Sequence, residues 1–198
     1  MRKILLFVWA CMGLVCLMSA CKTSVKSKEW KLVWVEDFDQ KNSFDESVWT
    51  KIPRGTSDWN NYMSYYDSCY AMQDGNLILR GIANHTQKND TAPYLTGGVY
   101  TKGKKLFTGG RVEVCARLQA AKGAWPAIWM LPEKAEWPKG GEIDIMERLN
   151  HDHIAYQTTH SYYTHILGIK DNPPHGGINK INPEEYNIYS VDIYPDSL

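Results

Sequence analysis

The chain has 198 residues, with 22 Lys and Arg against 22 Asp and Glu, and its formal net charge is zero. Hydrophobic residues make up 43% and aromatic residues 12% of it, which excludes a disordered chain and is enough to build one globular core. The balanced charge argues against a nucleic-acid-binding protein, which normally shows a basic excess.

The first 20 residues predict a targeting segment rather than part of the fold. Arg2 and Lys3 give it a positive start, and residues 4–15 form an apolar run that is too short to span a bilayer comfortably. Residues 17–21 (Leu-Met-Ser-Ala-Cys) resemble the lipobox of bacterial lipoproteins, in which the cysteine is lipidated. We therefore expect a lipid anchor on Cys21 that attaches the protein to a membrane of the cell envelope, at the outer membrane or the cell surface. The alternative is a secreted protein cut after Ala20.

Residues 21–29 predict a short polar tether, and residues 30–198 are expected to form one domain. Short alternating runs separated by turn residues recur along this domain, which is the pattern of an all-β fold. Strands are predicted at residues 30–35, 99–102, 111–118, 127–131, 142–148, 154–161 and 186–194, and a hairpin at 70–80 with its turn at 74–76. Many short strands with Gly, Pro and Asn turns are typical of a β-sandwich or jelly roll.

Two cysteines, Cys69 and Cys115, remain beyond Cys21 and the targeting segment. Two cysteines make neither a disulfide framework nor a zinc-binding pattern. A disulfide between them and two free thiols both stay open.

Three carboxylates lie close together at residues 142–147, where the sequence reads Glu-Ile-Asp-Ile-Met-Glu. Alternation along a strand puts Glu142 and Asp144 on one face, but it would bury Glu147 and expose Met146. One β-bulge near Ile145 and Met146 repairs both placements. We therefore predict a bulge that returns Glu147 to the face of Glu142 and Asp144.

Paired carboxylates on one strand face favour glycoside hydrolysis. With the bulge, Glu142 and Glu147 are about four strand steps apart, so that their carboxyl groups come within about 5 Å, as a retaining mechanism requires. Asp144 between them is suited to hold a shared proton and to separate the pKa values of the two glutamates. The alternative is a solvated acidic edge strand.

The motif resembles the longer Glu-x-Asp-x-x-Glu signature of glycoside hydrolase family 16, as found in laminarinases, agarases and carrageenases. The resemblance continues at residues 32–34, 37–39, 107–113, 123–131 and 137–138. It implies a concanavalin-like β-jelly-roll sandwich with an open cleft that cuts internal bonds of a β-glycan. It also implies Glu142 as nucleophile, Glu147 as acid/base and Asp144 as their electrostatic partner.

The resemblance therefore predicts an endo-1,3(4)-β-glucanase that acts on β-glucan. One alternative is the same mechanism on a galactan such as agarose or carrageenan. The other is a noncatalytic glycan-binding lipoprotein on the same fold, which would need the aromatic residues but not Glu142.

Further candidates would bind the substrate. Aromatic rings stack on the apolar faces of sugars, and the resemblance places Trp125 and Trp137 beside the scissile sugar, with the core as the alternative for Trp129. Asn61 resembles a substrate-binding position in laminarinases, Arg80 is a candidate for sugar hydroxyls, and His160 is a candidate for the substrate or a catalytic carboxylate.

No cofactor is required for two-carboxylate chemistry. No metal site is predicted, and four other histidines are expected at the surface, namely His151, His153, His165 and His175. Some members of the resembled family bind a structural calcium, to which the segment around Glu36 would contribute. The protein is expected to be a monomer.

The chain ends at Leu198, in a segment after which the resembled family has further strands. We therefore expect the closing strands of the sandwich to be absent, which would leave an apolar face and a strand edge open.

Overall fold

The computed structural model of the protein describes residues 30–40 and 42–198. Two units are distinguished, Met1–Lys31 and Leu32–Leu198, and only Trp30 and Lys31 of the first are described. The predicted targeting segment, tether and Cys21 anchor therefore lie outside the described residues. In the part that is described, no helix has the length and apolar character needed to cross a membrane.

Residues 30–40 and 42–198 contain twelve β-strands, one 3₁₀ turn at Asp67–Cys69 and one four-residue helix, α1 (Tyr162–His165). The strands are β1 (Thr50–Lys51), β2 (Tyr70–Gln73), β3 (Asn76–Leu79), β4 (Gly81–Ala83), β5 (Tyr94–Thr96), β6 (Val99–Tyr100), β7 (Gly110–Ala116), β8 (Ala127–Met130), β9 (Glu142–Glu147), β10 (Ile154–His160), β11 (Gly176–Lys180) and β12 (Asn187–Ile193). The predicted all-β class is confirmed.

Two antiparallel sheets face each other across the core. The larger sheet has the strand order β11-β10-β9-β8, and the smaller one pairs β12 with β7. The remaining strands form three two-stranded pairs, β1 with β6, β2 with β3 and β4 with β5. The chain is therefore a β-sandwich in which the carboxylate-bearing strand β9 is a central strand of the larger sheet.

The core lies between β9, β10 and the β7–β12 pair. Its buried members are Leu118, Ile145, Met146, Ala155 and Tyr189. Along β7 every second residue faces inward, as predicted, so that Val112 and Ala116 pack on this core. Full burial of an aliphatic side chain contributes roughly 1.5–3 kcal/mol to stability, and Met146 and Ile145 are only 0% and 2% exposed.

The bulge predicted in β9 is present. On β8, Ala127 opposes Glu147 and Trp129 opposes Asp144. On β10, Tyr156 opposes Glu147 and Thr158 opposes Asp144. Three steps along β9 therefore match two steps along each neighbouring strand, and the extra residue lies at Ile145 and Met146. Both of these side chains are buried as a result, and Glu147 returns to the polar face.

The hairpin at 70–80 is confirmed, because a two-residue turn joins β2 to β3. Asp74 and Gly75 both have positive φ, 52° and 69°, the conformation that two-residue hairpin turns favour. The prediction of a strand at 30–35 is wrong. Within the described residues this segment is not assigned to a strand, and Leu32 and Val33 are 75% and 90% exposed.

Both cysteines are free thiols, since Cys69 is buried and Cys115 is exposed on the outer face of β7. The short strands β1, β4, β5 and β11 were not predicted. Their sequences have little apolar alternation, and β11 (Gly-Gly-Ile-Asn-Lys) is exposed along its whole length.

Candidate active site

The three carboxylates lie on the face of the larger sheet that points away from the core. Directly opposed residues of neighbouring strands share a face. Glu142 opposes His160, Asp144 opposes Thr158, and Glu147 opposes Tyr156 on β10. The residues between the three carboxylates, Ile143, Ile145 and Met146, direct their side chains to the core. The bulge thus brings all three predicted catalytic carboxylates to one surface.

Each glutamate of β9 accepts a hydrogen bond from a tryptophan indole. Trp125 Nε1 donates to Glu147 Oε1 at 2.7 Å, and Trp137 Nε1 donates to Glu142 Oε2 at 2.6 Å. Both tryptophans are 47% exposed, so each ring also offers a face to solvent. The structure therefore brings the two predicted substrate-binding tryptophans to the carboxylates, one at each end of β9.

Asp144 occupies a different environment from the two glutamates. Its side chain is buried, and burial is the largest cause that raises its pKa from 3.8 to about 7. The negative charges of Glu147 and Glu142 and a hydrogen bond with Glu142 raise it further. Asp144 thus gains and loses its proton close to neutral pH, and Glu142 is its hydrogen-bond partner.

His160 lies beside Asp144. Its Nε2 is 3.2 Å from Asp144 Oδ2, and its ring is about one third exposed. The structure thus shows a contact between His160 and the buried Asp144 carboxyl group, and substrate binding by His160 stays a prediction.

Trp129 belongs to this surface and not to the core. It opposes Asp144 across β8 and β9, whereas its neighbours Ile128 and Met130 pack on the core cluster. The Trp59 ring stands edge-on to it with the ring centroids 5.0 Å apart, and Trp59 is 39% exposed. Sequence reasoning missed Trp59, although its position just before Asn60 and Asn61 was a signal.

Asn61 and Arg80 lie on either side of β5. The Tyr62 carbonyl, next to Asn61, accepts from Thr96 N, and the Arg80 carbonyl accepts from Gly97 N. The Oδ1 atom of Asn61 is buried without a hydrogen-bond partner. The Arg80 guanidinium donates to the Ser68 carbonyl at 3.4 Å. Substrate binding by Asn61 and Arg80 stays a prediction.

His165 was predicted only as a surface residue and has a more specific place. It ends α1, whose first turn is capped by Ser161, and its ring lies edge-on to Trp137 with centroids 4.5 Å apart. The His160 ring is 6.2 Å away. No local motif signals this contact, because it depends on how the segment after β10 folds back over the loop that carries Trp137.

The described part of the chain has no group of three or more His, Cys, Asp or Glu side chains that could hold a metal ion. Both carboxylate oxygens of Glu36 accept hydrogen bonds, from Phe38 N and from Trp49 Nε1. A structural calcium near Glu36 stays a prediction.

A cavity of about 490 Å³ lies against β9 and β10 of the larger sheet. Its lining includes Ile143, Asp144 and Ile145 from β9, Thr158 and Thr159 from β10, Val191 from β12 and the loop at 171–175. The cavity therefore adjoins Asp144, whereas Glu142 and Glu147 do not line it.

A family model described as the XgeA-like, catalytic GH16 domain matches residues 67–175, more than half of the chain. This stretch includes β9, Trp125, Trp137 and His160. The match therefore covers the carboxylates together with the indoles that bond them.

Two curated relatives match nearly the whole chain. The keratan-sulfate endo-1,4-beta-galactosidase of Sphingobacterium multivorum is 37% identical over 181 residues, which are 89% of this chain and 42% of that protein. The beta-glucanase of Rhodothermus marinus is 30% identical over 195 residues, 92% of this chain and 66% of that protein. The chain thus spans less than two thirds of the length of both relatives.

The solved laminarinase from Rhodothermus marinus has a similar structure. Its TM-score is 0.73 at 30% identity, over 84% of this chain and 69% of that one. This likeness confirms the predicted jelly-roll sandwich.

Proposed function

The chain belongs to glycoside hydrolase family 16, and on that premise we propose that it is a retaining endo-β-glycanase that cuts internal bonds of a β-linked polysaccharide. The placement of Glu142 and Glu147 on one face of β9, each bonded to an indole N–H, carries this proposal. A noncatalytic glycan-binding protein would need the exposed rings but not a buried Asp144 with a raised pKa beside two glutamates.

Glu142 is the nucleophile in this proposal. It must attack the anomeric carbon as a carboxylate, and the hydrogen bond from Trp137, together with that from Asp144 when Asp144 carries its proton, stabilises the negative charge of Glu142. Attack forms the C–O bond of a glycosyl-enzyme while the bond to the leaving sugar breaks. His160, at 3.2 Å from Asp144, orients the aspartate that orients Glu142.

Glu147 is the acid/base. In the first step its proton goes to the departing glycosidic oxygen, and in the second step it takes a proton from the water that attacks the anomeric carbon. Trp125 donates to Oε1, which leaves Oε2 as the oxygen that carries the proton in both steps. The second step releases the sugar with its original anomeric configuration, and no cofactor takes part.

A β-1,3-glucan or mixed β-1,3-1,4-glucan is the first candidate substrate. The 30% identity to a beta-glucanase over 92% of the chain and the likeness to a laminarinase structure support it. The exposed rings of Trp125, Trp137 and Trp59 around the carboxylates are suited to the flat apolar faces of such sugars.

A β-galactan is the second candidate substrate. The specific observation in its favour is the relative that acts on keratan sulfate, which is 37% identical, against 30% for the beta-glucanase. The retaining chemistry on β9 would be the same, because the two glutamates act on the anomeric carbon and not on the hydroxyls that distinguish glucose from galactose.

One experiment separates these candidates. The protein is incubated in parallel with laminarin, lichenan, agarose, carrageenan and keratan sulfate, and the products are resolved by chromatography, with Glu142→Ala as the inactive control. Oligosaccharides from laminarin or lichenan support the glucan proposal, and oligosaccharides from a galactan support the second candidate. Binding to a glycan without any product would contradict the proposed activity.

We also propose that the protein is an exported lipoprotein held in the cell envelope through Cys21. The Leu-Met-Ser-Ala-Cys boundary at residues 17–21 supports this. Metabolic labelling with a fatty-acid analogue should mark the protein but not Cys21→Ala. Equal labelling of both, or of neither, would contradict the anchor and favour a secreted protein.

A further inference from the structure

The loop between β7 and β8 (residues 117–126) carries Trp125. Backbone N–H groups of the residues that follow β9 donate hydrogen bonds to this loop. The Arg148 backbone N–H donates to the Pro126 carbonyl at 3.0 Å, and the Asn150 N–H donates to the Ala124 carbonyl at 2.9 Å. The segment that begins directly after Glu147 is thus bonded along the loop that supplies the Glu147 partner.

The side chain of Arg148 adds to this contact from inside the protein. Arg148 is only 4% exposed, and its guanidinium donates to two backbone carbonyls, those of Leu118 and Asp152. A buried guanidinium is costly unless its donors are satisfied. Leu118 lies near the start of the loop and Pro126 at its end. The Arg148 guanidinium therefore bonds the start of the loop, and the Arg148 backbone N–H bonds its end.

Asn150 fixes the tip of the same loop. Its Oδ1 accepts a hydrogen bond from Gly123 N at 2.7 Å. Asn150 has a φ of 52°, in the left-handed region that non-glycine residues rarely adopt, with asparagine among the exceptions. An exposed asparagine therefore keeps an unusual backbone conformation and at the same time bonds the loop.

One further hydrogen bond connects this loop to Glu147, the candidate acid/base. Trp125 follows Gly123 and Ala124 in the loop, and its indole N–H bonds Glu147 Oε1 at 2.7 Å. A shift of the loop would move the indole away from Glu147 and free the carboxyl group to turn. An error of about 1 Å in the position of a catalytic group is sufficient to lower the rate by roughly 10²-fold.

We propose that Arg148 and Asn150 are positioning residues that hold the loop of Trp125 against the end of β9 and so keep the Glu147 carboxyl group aligned for proton transfer. The catalytic part of this inference rests on the proposed function, whereas the placement of Trp125 does not.

The first test uses a matched pair of variants at Asn150. Asn150→Gly removes the acceptor for Gly123 N, and glycine adopts the positive φ without strain. Asn150→Asp keeps an acceptor oxygen. We expect kcat/KM of Asn150→Gly on a polysaccharide with a poor leaving group to fall about tenfold or more. On an aryl glycoside with an acidic phenol, which leaves without a proton, it should stay within about twofold. Asn150→Asp should restore most of the loss.

A control variant removes a comparable bond elsewhere. Asn182→Gly deletes an acceptor for Glu184 N in the loop between β11 and β12, and its activity on both substrates should be unchanged. Equal losses on both substrates in Asn150→Gly would overturn the inference, because a general loss of folding or binding does not depend on the leaving group.

The second test reads the position of Trp125 without any turnover. The protein is labelled with 5-fluorotryptophan, and the ¹⁹F resonance of Trp125 is assigned by its absence in Trp125→Phe. We expect this resonance to move or broaden in Asn150→Gly and in Arg148→Met and to return in Asn150→Asp. An unchanged resonance in both of the first two variants would overturn the inference. If the wild type cuts none of the glycans, the proposed function fails, and the ¹⁹F result still decides the placement of Trp125.

Discussion

The two ends of β9 present the same contact, an indole N–H on a glutamate, but support it differently. At the Glu147 end, hydrogen bonds from the adjoining residues 148–150 hold the loop of Trp125, and the Arg148 side chain is buried. At the Glu142 end, backbone hydrogen bonds within residues 136–141 close the turn that carries Trp137, and the His165 ring of the exposed helix α1 packs against the indole. The Glu147 end is thus supported by a buried side chain, and the Glu142 end by a short turn and an exposed ring.

This difference fits the work that each glutamate does in the proposed mechanism. Glu147 transfers a proton in both steps, so its position must be reproduced twice in each cycle. Glu142 forms and then releases a covalent bond, and it is already held by the buried Asp144 from within β9. We therefore expect changes around Trp125 to affect proton transfer, and changes around Trp137 and His165 to affect substrate binding more.

The largest expected effect comes from the glutamates themselves. Glu142→Ala should abolish turnover for every leaving group, since no other group on β9 attacks the anomeric carbon. Glu147→Ala should lose roughly 10²–10⁴-fold on polysaccharides, yet keep the first step on aryl glycosides with acidic phenols. Stopped assays with such glycosides measure both.

In Glu147→Ala, a glycosyl-enzyme should accumulate, and added azide should speed its breakdown. Mass spectrometry of the intact protein detects the intermediate. Azide rescue of Glu142→Ala with retained configuration would mean that the two roles are assigned the wrong way round.

The next largest effect concerns the two indole donors. A hydrogen bond to a charged group contributes about 1.5–3 kcal/mol, which corresponds to a loss of roughly 10–100-fold in rate if it acts in the transition state. Trp125→Phe should lower kcat/KM by that amount on polysaccharides and less on activated aryl glycosides. Trp137→Phe should lower kcat/KM on both substrates alike, because neither substrate binding nor nucleophilic attack by Glu142 depends on a proton for the leaving group.

Trp49→Phe is the matched control for these variants. It removes an indole–carboxylate hydrogen bond of the same kind, to Glu36, away from β9. Its kinetics should match those of the wild type. A loss in Trp49→Phe as large as in Trp125→Phe would show that the effect is one of stability rather than of the site.

A smaller effect should appear in stability rather than in rate. The pKa of Asp144 is higher in the folded protein, about 7, than its usual 3.8, so the folded state binds a proton more tightly. The free energy of unfolding should therefore fall as the pH rises from the usual pKa of 3.8 through the folded pKa of about 7. The expected decrease is about 2–3 kcal/mol between about pH 5 and about pH 8.

Asp144→Asn removes this titration and should flatten the pH dependence while lowering activity. Urea denaturation at both pH values measures it. The control is Asp74→Asn, in the exposed turn of the β2–β3 hairpin, which should behave like the wild type. A dependence on pH that persists unchanged in Asp144→Asn would contradict the raised pKa.

The smallest expected effect is at His165. His165→Ala removes the ring that packs edge-on against Trp137, and an aromatic pair of this kind contributes about 0.5–1.5 kcal/mol. We expect a rise in KM of a few-fold with kcat nearly unchanged, and rescue by His165→Phe. Tyr163→Ala, in the same helix, is the control. A loss in kcat alone would contradict the division of labour between the two ends.

The sequence allowed much of β9 to be predicted. The bulge followed from one conflict, since regular alternation would have exposed Met146 and buried Glu147, and the structure resolves it at Ile145 and Met146 as expected. The hairpin at 70–80 followed from Asp74 and Gly75. In both cases the deciding information lies within a few residues.

The failures involve contacts between distant parts of the chain. The apolar alternation at residues 30–35 describes which faces a strand would have, but not whether another strand is there to pair with it. The contacts of Trp59 with Trp129 and of His165 with Trp137 join residues from separate loops. Likewise, the burial of Arg148 could not be expected from a position just after a strand.

The stereochemistry of hydrolysis tests the central claim most directly, namely that the bulge in β9 sets Glu142 and Glu147 as nucleophile and acid/base on one face. The anomeric configuration of the first product is followed by ¹H NMR within the first minutes, before mutarotation, on the glycan that the protein cuts. Our account predicts that the β-configuration is retained. A first product with the α-configuration would contradict the assignment of Glu142 as nucleophile and the geometry inferred for this site.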